Sequence, residues 1–242
     1  MAFTALQLVN ELLSRFNLKE VATIGQTPES TTALRKINIV QRTISTAHPF
    51  VWAEKNTPGE LTAVEGTSIY TLATDVAHLI VAKHTYQGGN SIKAIDRATL
   101  EKYRADRSQS TDRNIPKFMT TAGVLQTLAT DTPALRGELW PVPNADFAGE
   151  KIYYYYTFKL TDLAADGDIS LIPGDFHWLL IEGAETLYRR GPIRVGGDGA
   201  QSQIDLYTIA DNKFKEGLAR LISRDSAVGS SEMAWDNEDP EL

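Results

Sequence analysis

Helical periodicity is confined to the two ends of this 242-residue chain, and a long middle segment lacks it. Apolar residues recur at helical spacing from about Thr4 to Phe16 and from about Thr31 to Ala47, and the pattern returns at residues 173–190 and 201–224. Each pair of amphipathic helices is too small to bury its own apolar faces. We therefore expect the two ends of the chain to meet and form one helical bundle.

Local signals set the expected helix boundaries. Thr4 and Gln7 form a capping-box pattern at the start of the first helix. The second helix is expected to follow a loop that closes with Thr27-Pro28. It should end before His48-Pro49, because the residue preceding a proline disfavours helical backbone.

Residues 59–160 have the character of short strands separated by polar turns. The strand-like segments are "ELTAVEGTSIYTL", "VAHLIVAKHTY", "SIKAI", residues 116–122, 124–129 and 136–140, and the tyrosine-rich "KIYYYYTF". A short helix, "DRATLEKYRADRS", is expected between them, with Asp96 as its cap. This density of strands and turns favours a small sandwich or barrel.

The predicted fold class is therefore α+β, a helical bundle from the N- and C-terminal helices with an inserted small β-sandwich or barrel module. The predicted boundaries are residues 1–52 for the N-terminal helices, 53–165 for the β-rich module and 166–224 for the C-terminal helices. Residues 225–242 are expected to form a flexible acidic tail, because they are poor in order-forming residues.

Charge and composition exclude several classes of protein. The chain has no cysteine, which excludes disulfides, thiolate catalysis and thiolate metal sites. Six of its 31 acidic residues lie from Asp225 onward, leaving 25 that nearly balance the 24 basic residues, so a basic nucleic-acid-binding footprint is absent. We expect no membrane span and no secretory leader.

No motif for catalysis, cofactor binding or metal binding emerges from the sequence. His48, His78, His84 and His177 lack the spacing of a metal site and are expected to be structural. The carboxylates of Asp166 and Asp168 could in principle serve acid–base chemistry, but a solvated turn is the simpler interpretation.

The tyrosine-rich strand has two different faces. Period-two alternation directs one set of residues to a sheet core, namely Ile152, Tyr154, Tyr156, Phe158 and Leu160. The opposite face carries Tyr153, Tyr155, Thr157 and Lys159. Apolar rings with hydroxyl tips suit a protein interface, so these two tyrosines and Trp140 are candidate residues of a subunit or tail interface. A cross-strand aromatic pair and a sugar-binding platform are the alternatives.

The last predicted helix carries an acidic residue in its apolar stripe. Asp211 interrupts a run of apolar residues at near-heptad spacing, and Lys215 follows one turn later. Asp211 either pairs with a base on a neighbouring chain or lies at the solvated edge of the stripe. Asp211 and Lys215 are therefore further candidates for a subunit or tail interface.

The order and spacing of several segments resemble the head-to-tail adaptor proteins of tailed bacteriophages, also called connector or head-completion proteins. The resemblance spans about Thr31 to Ile222. The chain departs from the family at Leu72-Ala73-Thr74-Asp75, where a Leu-Pro-x-Asp turn is frequent. The segments that carry the resemblance are "ALRKINIVQRTIS", Trp52, "GTSIYTLATDV", "AIDRATLEKY", "IPKFMTT", "ELWPVPNAD", "IYYYYTFKLTDLAADGD" and "SLIPGDFHWLLIEGAETLYRR".

The resemblance implies a virion structural protein that is not an enzyme and needs no cofactor. Copies of it would form a dodecameric ring that docks on the portal protein and presents a surface to tail or nozzle proteins. Genomic DNA would pass through the bore without specific binding. The implied location is the virion neck, after synthesis in the host cytoplasm, with no membrane contact. The family fold, a helical bundle with a β insertion, agrees with the layout inferred from the residues.

The acidic C-terminal segment is the predicted partner-binding element. One large apolar residue among carboxylates suits a basic groove on the portal or on a neighbouring subunit. The candidate residues are Trp235, Asp236, Glu238, Asp239 and Leu242.

Other functions remain as alternatives. A different phage tail-completion or baseplate subunit would use the same assembly chemistry with another partner. A carbohydrate-binding module would use Tyr153, Tyr155 and Trp140 as stacking surfaces. An enzyme is the weakest alternative, because no constellation of reactive groups supports it.

Overall fold

The structure, a computed structural model, describes residues 2–106, 113–125, 134–189 and 199–233. The chain divides into two compact units. The helical unit comprises Met1–Ala53 and Leu160–Leu242, and the β unit comprises Glu54–Lys159. The predicted α+β class is confirmed, with a bundle built from both ends of the chain and a barrel-like sheet from the middle.

Helices from both ends of the chain pack together in the helical unit. Helix α4 contacts α1, α2 and α5, so its apolar surface is covered by both parts of the sequence. The elements are α1 (Ala5–Arg15), α2 (Pro28–Ala47), α4 (His177–Arg189) and α5 (Gly199–Met233), with α3 (Arg97–Asp106) belonging to the β unit.

Capping determines where the first two helices begin. The predicted capping box of Thr4 and Gln7 is present at the start of α1. The predicted start of α2 at Thr31 is wrong by three residues, because Thr27 caps the helix and accepts the backbone N–H of Ser30 at 3.1 Å. Pro28 fits the first helical position, where a backbone N–H has no intrahelical partner.

The last helix continues beyond its predicted end at Arg224. Helix α5 extends to Met233, so its predicted end at Arg224 is wrong by nine residues. Just past the predicted end, the side chain of Asp225 is buried, and its two oxygens accept the Val51 backbone N–H at 3.0 and 3.1 Å. The Nε2 atom of His48 lies 3.4 Å from the same carboxylate. Residues 234–242 lie outside the described residues.

Helix α4 is buried on nearly every side, whereas its sequence predicted one apolar face. Gly183 is the point of closest approach, since a Cβ atom there would lie 2.6 Å from Val40 Cγ1 and 2.9 Å from the Phe214 ring. The buried residues of α4 are His177, Leu179, Leu180, Ile181, Glu182, Gly183, Ala184, Glu185 and Thr186. The helix is therefore the centre of the bundle.

The β unit is a seven-stranded, mostly antiparallel sheet in the order β1-β9-β3-β4-β6-β7-β2. Its strands are β1 (Gly59–Thr62), β2 (Ile69–Thr71), β3 (Val76–His84), β4 (Asn90–Ala94), β6 (Phe118–Leu125), β7 (Ala134–Trp140) and β9 (Lys151–Phe158). A separate two-stranded sheet pairs β5 (Arg113–Asn114) with β8 (Val142–Pro143). The predicted segments 116–122 and 124–129 are one strand as far as Leu125, and residues 126–129 lie outside the described residues.

The inner face of the sheet forms the core of the β unit. The predicted inward residues Ile152, Tyr154 and Tyr156 are at most 2% exposed. They pack with buried side chains from the other strands, namely Leu61, Leu72, Val76, Ile92, Met119, Leu139 and Phe147. The period-two interpretation of the tyrosine strand is therefore confirmed for its core face.

A methyl group at Gly59 should destabilise the β unit by about 1–3 kcal/mol, because it would overpack this core. An added Cβ would lie 2.1 Å from Cζ of Tyr154, whose hydroxyl accepts the Ala73 backbone N–H at 2.9 Å. Urea unfolding of Gly59→Ala measures the loss. Gly167→Ala is the control, since nothing lies within 4 Å of a Cβ there. Equal stability of the two variants would show that the ring of Tyr154 moves freely.

Candidate functional site

Tyr153 and Tyr155 lie on the outer face of the sheet, as their alternation predicted. Tyr153 is paired with Lys83 of β3 and Glu60 of β1, and Tyr155 is paired with Val81. Both tyrosines are partly exposed, and Lys83 Nζ lies 5.8 Å from the centroid of the Tyr155 ring. We call Tyr153, Tyr155, Glu60, Val81 and Lys83 the tyrosine face.

The inner tyrosines of the same strand, Tyr154 and Tyr156, are anchored by hydrogen bonds of their hydroxyl groups. The Tyr156 hydroxyl donates to Asp75, whose Oδ2 atom lies 2.5 Å from Lys55 Nζ. Although burial alone would raise it, the hydrogen bonds from Lys55 and Tyr156 hold the pKa of Asp75 below its usual value. Burial raises the pKa of the Tyr154 hydroxyl, which stays protonated at neutral pH. The strand that carries Tyr153 and Tyr155 is thus fixed on its core side.

Trp140 belongs to the interior of the β unit and not to its surface. Its side chain is 1% exposed and lies in a stack with Phe118, at a centroid distance of 6.0 Å, and with Tyr103, at 6.4 Å. Helix α3 supplies Tyr103 and packs on β6, which is why the outer side of this corner is closed. Trp140 therefore cannot present its ring to a protein partner or a sugar, as its aromatic character had suggested.

Asp211 and Lys215 meet on the surface of α5. Lys215 Nζ lies 2.6 Å from Asp211 Oδ2, and the side chains are 69% and 23% exposed respectively. The hydrogen bond to Asp211 raises the pKa of Lys215. Within the chain itself, Asp211 is partly buried at the edge of the stripe and pairs with Lys215 of its own helix.

Two exposed apolar residues of α5 escaped the sequence analysis. Leu206 is 42% exposed and Ile209 is 51% exposed. The sequence signal that could have identified them is that both apolar residues fall outside the apolar stripe predicted for this helix. They add an apolar patch to the surface that α5 presents.

The titratable side chains that could serve catalysis or metal binding have structural roles in the described part of the chain. His177 accepts the Phe3 N–H at Nδ1, at 2.9 Å, and its Nε2 atom lies 2.8 Å from the Ile172 carbonyl oxygen. The carboxylate of Asp168 accepts the N–H groups of Ala164 and Ala165 at 2.7 Å each, and these hydrogen bonds lower its pKa. Within residues 2–106, 113–125, 134–189 and 199–233, no group of three or more His, Cys, Asp or Glu side chains could hold a metal ion.

The candidate residues of the C-terminal segment fall outside the part of the chain that the structure describes. Trp235, Asp236, Glu238, Asp239 and Leu242 all lie outside the described residues. In the part of the chain that the structure describes, the helices lack the length and apolar character needed to cross a membrane.

Comparison with known proteins identifies one family. A family model described as SU10 adaptor protein matches residues 3–234, which is nearly the whole chain. No curated protein matches the chain.

Proposed function

Because the chain belongs to the SU10 adaptor protein family of bacteriophage structural proteins, we propose that it is the head-to-tail adaptor of a tailed phage. Copies of the chain form a dodecameric ring on the portal protein and present the surface on which tail or nozzle proteins assemble. The genome passes through the bore of this ring in the virion neck. The single observation that carries the proposal is the family match over residues 3–234.

The two units offer the kinds of surface that ring assembly needs. Closed rings form through heterologous contacts, in which one patch of each copy meets a different patch of the next. The tyrosine face of the β unit is one such patch, and α5 offers exposed residues for the other, Leu206 and Ile209 on one side of the helix and Asp211 and Lys215 on another. We assign both to contacts with neighbouring subunits or tail proteins.

Charge balance also suits a ring through which DNA moves. The formal net charge of -7 comes almost entirely from the six acidic residues from Asp225 onward, and acidic side chains that face the bore repel the phosphate backbone. The adaptor therefore releases the genome freely, because it makes no specific contacts with it.

Mixing the chain with purified portal rings tests this function. We expect a stable complex, seen by mass photometry and electron microscopy, in which added mass lies on one end of the portal. Binding only to isolated baseplate or tail-completion proteins would instead favour the alternative function, that of a tail-completion or baseplate subunit.

Deleting residues 234–242 should weaken assembly on portal rings about tenfold or more, since the segment carries an indole, that of Trp235, among carboxylates, and such aromatic anchors dominate binding energy. The thermal unfolding temperature should stay unchanged, because the hydrogen bonds from Val51 to Asp225 remain. The loss would concern the contact of Trp235, Asp236, Glu238, Asp239 and Leu242 with the portal or a neighbouring subunit. Unchanged assembly of the shortened chain would refute this role of the segment.

A further inference from the structure

A groove of about 700 Å³ opens on the β unit beside β4 and the segment that precedes β6. The backbone N–H of Lys93 in β4 donates to the carbonyl oxygen of Lys117 at 3.0 Å. This hydrogen bond joins β4 to the segment before β6 beside the groove. Asn90 and Asn114 also line it and supply amide groups. The groove is thus a polar slot with a fixed backbone frame.

Two unpaired cations dominate the charge of the groove. Lys93 and Lys117 are exposed, and neither has an ion-pair partner in the part of the chain that the structure describes. The groove is lined by no Asp or Glu among the described residues. A third titratable group, His84, is 3% exposed, and burial lowers its pKa, so it is neutral near pH 7. The groove therefore attracts anions.

One wall of the groove is a flat aromatic surface. Tyr103 is 41% exposed and stacks on Phe118, with a centroid distance of 4.7 Å and an interplanar angle of 14°. Trp140 packs against both rings, with its centroid 6.0 Å from that of Phe118 and 6.4 Å from that of Tyr103. An exposed ring held in this way is suited to stacking with another aromatic side chain.

Buried polar chemistry at the groove supports a binding role. The Nδ1 atom of His84 is buried and has no hydrogen-bond partner among the described residues. Buried polar groups are normally hydrogen-bonded, so this nitrogen is an unsatisfied polar position beneath the groove. The site then combines two cations, an aromatic wall and an unused polar atom.

We propose that this groove binds the C-terminal segment of a neighbouring copy of the chain, residues 234–242. That segment, "AWDNEDPEL", carries one indole and four carboxylates and has no basic residue. Trp235 stacks on the wall formed by Tyr103, and Asp236, Glu238 and Asp239 face Lys93 and Lys117. The match of charge and of aromatic surface is what selects this occupant.

The reach of the segment allows a contact between molecules. Asp225 fixes α5 to its own unit, and the eight helical residues from 226 to 233 carry the chain about 12 Å further. Nine extended residues then span up to about 30 Å. This inference rests on the proposed ring, in which each copy receives a segment from the next.

A peptide titration tests the groove without any ring. A fluorescein-labelled peptide of residues 231–242 is titrated with the full chain carrying Trp235→Ala, and binding is followed by fluorescence anisotropy. We expect saturable binding that weakens about tenfold or more when Lys93→Glu and Lys117→Glu are combined. It should weaken similarly when salt rises from about 0.05 to about 0.5 M, since screening shortens the reach of charges.

Matched controls separate specific binding from general charge effects. The pair Lys19→Glu and Lys213→Glu makes the same change in net charge on exposed residues of the helical unit, and it should leave binding unchanged. A peptide with Trp235→Ala should bind about tenfold less tightly. Equal weakening by both lysine pairs, or absence of saturable binding, would overturn the proposal.

Mixing full-length variants shows whether the contact joins two molecules. A chain with the altered lysine pair and a chain with Trp235→Ala should each fail to self-associate, yet form mixed dimers when combined. If the peptide binds but the chain ignores portal rings, the proposed function falls and the groove assignment stands. If portal rings assemble normally with the altered lysine pair, the groove assignment falls and the function stands.

Discussion

Replacing Arg15 by methionine should destabilise the protein by about 3–5 kcal/mol, the usual cost of removing one partner from a buried ion cluster. Its Nη1 atom lies 2.9 Å from Glu182 Oε1 and 2.7 Å from Glu185 Oε2, and both glutamates are buried on α4. Without the guanidinium, Glu182 loses this cation, and Glu185 keeps its ion pair with Arg189 as the remaining one among the described residues. Urea unfolding at neutral pH measures the difference.

The effect of Arg15→Met should depend on pH in a defined direction. Although burial raises it, hydrogen bonds from Arg15 and Arg189 hold the pKa of Glu185 below its unfolded value of 4.5. A carboxylate with a lowered folded pKa stabilises the fold above its unfolded pKa, and this contribution is lost as the pH falls through the folded pKa. The gap between the natural chain and the variant should therefore be largest at neutral pH and shrink below 4.5.

Arg42→Met is the matched control for this cluster. Arg42 pairs with Asp162 at 3.3 Å, but both side chains are more than half exposed, so the change should cost at most about 1 kcal/mol. If the two variants unfold at the same urea concentration, the cluster of Arg15 with Glu182 and Glu185 is not a buried, interdependent network.

Replacing Trp140 by alanine should destabilise the β unit by about 3–5 kcal/mol, because it leaves a cavity beneath the stacked Phe118 and Tyr103 rings. The ring is 1% exposed, so its main role is in the core. Thermal and urea unfolding followed by circular dichroism measure the loss.

Tyr153→Ala provides the contrasting variant on the outer face. This side chain is partly exposed, so its removal should change stability by less than about 1 kcal/mol while it weakens assembly with neighbouring subunits or tail proteins. A similar stability loss in both variants would contradict the division into a buried Trp140 and an exposed tyrosine face.

Much of the fold could be predicted from the sequence because local rules decide it. The capping box at Thr4, the stop at His48-Pro49 and the alternation of Tyr153 to Tyr156 all follow from contacts within a few residues. The meeting of the two chain ends followed from the physical need to cover amphipathic helices.

The errors arise where distant residues decide the outcome. The burial of Trp140 depends on α3, which covers that corner of the sheet, and α5 continues past its predicted end at Arg224, where Asp225 contacts Val51. Neither contact is visible in a single stretch of sequence. Thr157 is buried although alternation directed it outward, and it is paired with His78 on one side and bridged to Glu54 on the other.

The candidate surfaces were predicted only in part for the same reason. Alternation was sufficient for the tyrosine face, since it depends on one strand. Leu206 and Ile209 required knowledge of which side of α5 meets α4, and the groove at Lys93 and Lys117 requires strands that are distant in sequence to lie side by side.

Electron microscopy of the chain mixed with purified portal rings tests the central claim most directly. The account predicts that copies of the chain assemble into a second ring, coaxial with the portal and attached to one of its ends, with an open bore. Portal rings that stay bare at saturating concentrations of folded chain, with tail proteins present as well, would contradict it.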